Sequence, residues 1–119
     1  MQNKNYKYYL HQVLKIIQSD NTKFCLLKIR KNYCHGYCIF FKMENSPIII
    51  ILDPRKEFIS TLVHECLHGA YQTLSETKIS KLERKIMENI TKTEILNLLD
   101  TFNKKAKFTK FSKSFTKKS

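Results

Sequence analysis

The stretch that most restricts how this chain can fold is residues 48–70, an unbroken apolar pentamer followed after a turn by a long amphipathic segment. Ile48-Ile49-Ile50-Ile51-Leu52 presents apolar side chains to both faces of a strand, so helices must cover it on at least one side. Asp53-Pro54 reads as a helix start, because the Asp side chain can accept from free amides and Pro loses no hydrogen bond at the first helical position. The helix is expected to run to about Ala70. Phe58, Ile59, Leu62, Val63, Cys66, Leu67 and Ala70 form its apolar side, with Thr61, His64, Glu65 and His68 opposite.

The rest of the chain supplies the cover. Tyr6, Leu10, Val13, Leu14 and Ile17 recur at helical spacing and predict a helix over residues 5–18, stopped by Ser19-Asp20-Asn21. The run Phe24 to Arg30 and the aromatic, β-branched run Gly36 to Phe41 read as neighbouring antiparallel strands. After the motif helix, Ile79, Leu82, Ile86 and Ile90 mark a return helix whose other face carries Lys78, Lys81, Lys85 and Lys92 toward water. Thr91-Lys92-Thr93-Glu94 is a capping box opening a last helix through Phe102. The expected class is α+β: an N-terminal helix, a small and mostly antiparallel sheet, the helix that starts at Asp53-Pro54 and runs to about Ala70, and C-terminal return helices. A length of 119 residues suits one domain. Its bounds are expected at 1–103, with 104–119 as a basic flexible tail.

His64-Glu65-Cys66-Leu67-His68 is an HExxH sequence inside a helix, the context in which that pattern carries chemistry. A spacing of four sets both imidazoles on one face, one turn apart, where they can reach a single ion. Glu65 is offset by one residue, so its carboxylate can act as general base on a water while the ion polarises a carbonyl. Chance matches to so short a pattern exist, and a helical His is often only a packing or surface group. Here the polar stripe lies on the helix most firmly fixed by its apolar side.

Two ligands are too few for a zinc site. Glu76 and Glu83 stand seven residues apart on roughly one face of the return helix, so only one can complete the same site. The tight turn of residues 71–75 favours Glu76, while a larger sideways displacement would favour Glu83. The bland readings are a capping box with Thr73 for Glu76 and a surface pair with a Lys for Glu83. For an oxyanion donor the candidates are Tyr71 and His35, each of which also reads as an ordinary packing group. Cys34-His35-Gly36-Tyr37-Cys38 could hold a second metal, but with no further ligand pair at useful spacing it reads better as reduced thiols near a turn.

From about Gly36 to Ile90 the chain resembles the catalytic core of the HExxH zincin metallopeptidases. The residues that carry the likeness are Ile48–Leu52 and Thr61-Leu62-Val63-His64-Glu65-Cys66-Leu67-His68-Gly69-Ala70. It is most similar to small single-domain zincins encoded by phages and other viruses, and more distantly to SprT-like proteases. The resemblance implies a minimal zincin fold, one zinc ion held by His64, His68 and Glu76, Glu65 as the base, and a strand edge that holds an extended peptide. The metzincin continuation, a spaced Gly and then a third His after His68, is absent, and no zinc ribbon follows the core as in many SprT-like proteins.

The net charge of +12 is unevenly placed: residues 104–119 hold seven of the 22 Lys and Arg and no acid, whereas residues 1–103 carry fifteen basic and all ten acidic residues. Lysines interleaved with Phe108, Phe111 and Phe115 could neutralise phosphates and stack on bases, and they equally suit an unstructured terminus. The expected function is therefore a zinc-dependent peptidase acting on a protein or peptide. The alternative is a nucleic-acid-associated relative that trims DNA-bound proteins or keeps zinc only for structure. No apolar run is long enough to span a membrane, and four cysteines without a disulfide pattern suit a reducing compartment. A monomer in the cytoplasm is expected, in the host cytoplasm if the chain is viral.

Overall fold

A computed structural model describes residues 5–29, 35–40 and 46–108, with side chains as far as Lys105. The fold is α+β: four helices and a small three-stranded mixed sheet, in the order α1 (Tyr6–Gln18), β1 (Thr22–Leu26), β2 (Gly36–Ile39), β3 (Ile48–Leu52), α2 (Phe58–Ala70), α3 (Glu76–Asn89) and α4 (Lys92–Phe108).

The strand order is β1-β3-β2, with β1 parallel and β2 antiparallel to β3. The expected pairing of β1 with β2 is thus corrected, since β3 lies between them. The physical reason is in β3 itself. A strand apolar on both faces gains most from the central position, where both edges are paired and one face meets α2. Ile50 and Leu52 are fully buried there.

Helix α2 is the hub, touching α1, α3, β2 and β3. Leu62, Val63, Cys66 and Leu67 are fully buried and meet Val13 and Ile17 of α1, Ile79 and Ile86 of α3, and Leu98 and Phe102 of α4 in one core. The expected start of α2 at Asp53-Pro54 is also corrected, because the helix begins at Phe58 and Asp53 does not cap it. The buried Asp53 carboxylate instead accepts from the Ile29 amide and from the Arg55 backbone and guanidinium. With Lys56 donating to the Ile29 carbonyl, it ties the segment after β1 to the turn before α2.

Ser19 closes α1 as expected. Thr91 and Glu94 form the expected reciprocal capping box, each accepting from the other's backbone amide at 2.9 and 3.1 Å. Helix α4 continues to Phe108, beyond its expected end at Phe102, and Lys105 reaches back to the Ser19 carbonyl. The remainder of the basic tail, residues 109–119, lies outside the described residues. Among the described residues, no helix is long and apolar enough to cross a membrane.

Candidate metal centre

The helical spacing of His64 and His68 brings their rings to 4.9 Å between centroids on the outer face of α2. The chain turns at residues 71–75, and Ser75 caps α3 by accepting from the Lys78 amide. Glu76 is therefore released from the capping role that its spacing from Thr73 suggested. Its carboxylate faces both imidazoles: Oε2 lies 2.8 Å from Nε2 of His64, and Oε1 lies 2.8 Å from Nε2 of His68. Ligand atoms of His64, His68 and Glu76 all fall within 4.8 Å of one another, and this group could hold a metal ion.

Glu83, the rival for the third position, is also present but on the other side of the ring. Its Oε1 lies 2.7 Å from Nδ1 of His64, so among the described residues it pairs with that nitrogen and not with a lysine. A carboxylate on Nδ1 holds the imidazole in the tautomer that leaves Nε2 to face an ion. Both acids expected near the site are thus brought to it, in different places on His64. A fixed spacing of seven could not distinguish these roles, because they depend on how far α3 is displaced sideways from α2.

Glu65 is 8% exposed although it belongs to the polar stripe. Strand β2 covers it. A Cβ on Gly36 would stand 2.9 Å from the Thr61 methyl carbon and 3.3 Å from Cγ of Glu65, so only glycine lets the strand settle this low over the helix. Thr61 is buried in the same way, with its hydroxyl donating to the Lys56 carbonyl. Burial pushes the Glu65 carboxyl up to about 7; the charges of Glu76 and Glu83 add to the rise and His64 opposes it. Burial acts against a charged His64, but the hydrogen bond it donates to Glu83 and the charges of Glu76, Glu65 and Glu83 outweigh it and raise the imidazole. For Glu76 burial is likewise overcome, by the His68 hydrogen bond and the two imidazoles, and its carboxyl is lowered.

His64, Glu65, Glu76 and Glu83 line a cleft of about 360 Å³ together with His35, Gly36, Glu57, Ser60 and Thr61. Of the two oxyanion candidates, His35 lies in the cleft. Tyr71 does not line it: its ring packs against Tyr9 at 6.1 Å on the side of α1. Glu57 and Ser60 carry no metal or base motif; Ser60 reaches the cleft because it lies one helical turn before His64 on α2, and Glu57 because the turn that delays the start of α2 to Phe58 sets it at the helix N-terminus. Glu57 itself adopts the left-handed conformation, with φ 40°. Cys25, Cys38 and Cys66 are free thiols. Burial, with a smaller push from Glu65, raises the Cys38 thiol to about 12, and Cys66 is fully buried in the core. Cys34, which with Cys38 reads as a reduced thiol rather than as half of a second metal site, lies outside the described residues. No protein-family profile, characterised protein or solved structure matches the chain.

Proposed function

We propose that the chain is a zinc-dependent peptidase of the zincin type, with His64, His68 and Glu76 as ligands and Glu65 as general base. The observation that carries this reading is the convergence of two Nε2 atoms on one carboxylate, with a buried acid next in sequence lining the same cleft. Two imidazoles and one carboxylate are a donor set that suits zinc and leaves room for a further ligand. When bound, the ion would supply Lewis-acid polarisation of a carbonyl and make water more acidic.

The chain's own residues would do the rest. Glu65, raised by burial, accepts the proton of the attacking water and hands it to the departing amine. Glu83 fixes the His64 ring, and His35, which lines the cleft, would serve as the donor to developing negative charge.

The test combines metal analysis with hydrolysis of unfolded casein. The protein should purify with one zinc per chain, His64→Ala and His68→Ala should lose it, and Glu65→Gln should keep it while losing at least about 10²-fold in rate. Casein cleaved by Glu65→Gln at the original rate, or unchanged zinc in both His variants, would overturn the assignment.

A further inference from the structure

Strand β3 is apolar on both of its faces, yet among the described residues the helices cover only one face of the sheet. Ile48, Ile50 and Leu52 turn toward the core, together with Phe24 of β1 and Cys38 of β2. Ile49 and Ile51 turn the other way. The register sets Lys23 and Ile39 on either side of Ile49, and Cys25 and Tyr37 on either side of Ile51, so these six residues make the opposite face. Tyr37 and Ile39 are 41% and 40% exposed there, and Ile49 and Ile51 are half-buried. A strand apolar on both sides is the pattern of one buried on both sides, and a contiguous apolar patch marks a surface that something covers.

The size of the face and the path of the chain identify the cover. Three strands about 4.8 Å apart, each of about five residues at 3.3 Å, present about 200 Å². A stable contact between two protein molecules needs about 800 Å² from each, so a short segment suits this face better than a second copy. The chain delivers such a segment to the sheet edge. Helix α4 ends at Phe108, and Lys105 in its last turn donates to the Ser19 carbonyl, the oxygen that also accepts from the amide of Thr22 at the start of β1. Burial lowers the Lys105 ammonium, and the nearby charge of Lys23, on the open face, adds to the effect. The sequence continues with residues 109–119, in which Phe111 and Phe115 alternate with Lys110, Lys113, Lys117 and Lys118. Crossing from Lys23 to Ile39 takes about 10 Å, whereas residues 109–119 reach about 16 Å as a helix and about 36 Å extended. We propose that residues 109–119 pack across this face of the sheet, with Phe111 and Phe115 against Ile39, Ile49, Ile51 and Tyr37 and the lysines toward water. Such a cover also holds β2 down on α2, where Gly36 meets Thr61 and Glu65. The inference does not depend on the peptidase reading.

The chain contains no Trp, so Tyr37→Trp in the full chain places one indole on the face, and Ile39→Trp takes its role should that variant fail to fold. Fluorescence emission and acrylamide quenching are measured with the circular dichroism spectrum of each protein. Each buried Phe favours docking at least about tenfold, so adding Phe111→Ser and Phe115→Ser should shift the emission to the red and raise the quenching constant at least about twofold, with unchanged dichroism. Phe115→Ser alone is the milder change, read in the same way, if the double variant does not fold. The protection should persist in about 1 M sodium chloride, where the screening length is about 3 Å, because the contact is apolar.

Equal emission and quenching with and without the Phe substitutions overturns the proposal, whether the indole is open in both proteins or covered in both by another segment. Protection that salt abolishes overturns it too. Protection that grows with protein concentration would assign the face to a second copy of the chain instead.

Discussion

Replacing Glu83 by Gln retains the side-chain volume but removes the carboxylate that lies 2.7 Å from Nδ1 of His64. A hydrogen bond to a charged group contributes about 1.5–3 kcal/mol. If that sum is lost from the bound state, zinc affinity falls about 10- to 100-fold, the usual range for the outer partner of a metal-binding histidine. The Gln amide oxygen can still accept from Nδ1–H, so Glu83→Gln belongs near the tenfold end and Glu83→Ala near the hundredfold end. Glu76→Gln should lose more than either, because Glu76 faces both Nε2 atoms directly. The measurement is competition for zinc against a chromophoric chelator at fixed pH, with the circular dichroism spectrum recorded for each variant. Wild-type affinity in a folded Glu83→Ala protein would refute the orienting role. A loss in Glu83→Gln as large as in Glu76→Gln would make Glu83 a ligand instead.

Three further outcomes test the scaffold. Gly36→Ala should destabilise the fold by about 1–3 kcal/mol in urea unfolding and depress hydrolysis, because the new Cβ would sit 2.9 Å from the Ile51 carbonyl and press on Thr61 and Glu65; unchanged stability would mean that β2 does not rest on α2 as described. The Arg55 guanidinium, working against burial and helped by the Ile29 and Arg55 amides, holds the Asp53 carboxyl well below the usual carboxylate range. Its stabilisation is therefore complete above the unfolded-state value of about 4 and drains away as pH falls toward the folded one. Urea midpoints should drop from pH 6 to pH 3 more steeply in the wild type than in Asp53→Asn, and parallel curves would contradict this. Thr91→Ala should cost about 1 kcal/mol by freeing the Glu94 amide, readable as a lower midpoint at an unchanged denaturant slope.

Much of the scaffold could be read from local pattern. Helical periodicity located α1 and α3, continuous apolarity located β3, and the Thr91–Glu94 spacing located the start of α4, because each signal depends on residues within one or two turns. The same locality placed His64 and His68 on one face, since the α-helix fixes that geometry as soon as it forms.

What the pattern could not determine was every relation between elements distant in sequence. That β3 separates β1 from β2 follows from its need for pairing on both edges, an energy belonging to the assembled sheet. Asp53 looked like a cap because its neighbour is Pro54, yet its partners include the Ile29 amide on a segment 24 residues earlier. Glu65 looked like part of an exposed stripe, and the approach of β2 over Gly36 buried it. Helical spacing brought Glu76 and Glu83 to one face of α3. Only the offset of α3 against α2 set one carboxylate between the two Nε2 atoms and the other on Nδ1, because hydrogen-bond range is narrower than the uncertainty in helix placement that a sequence leaves.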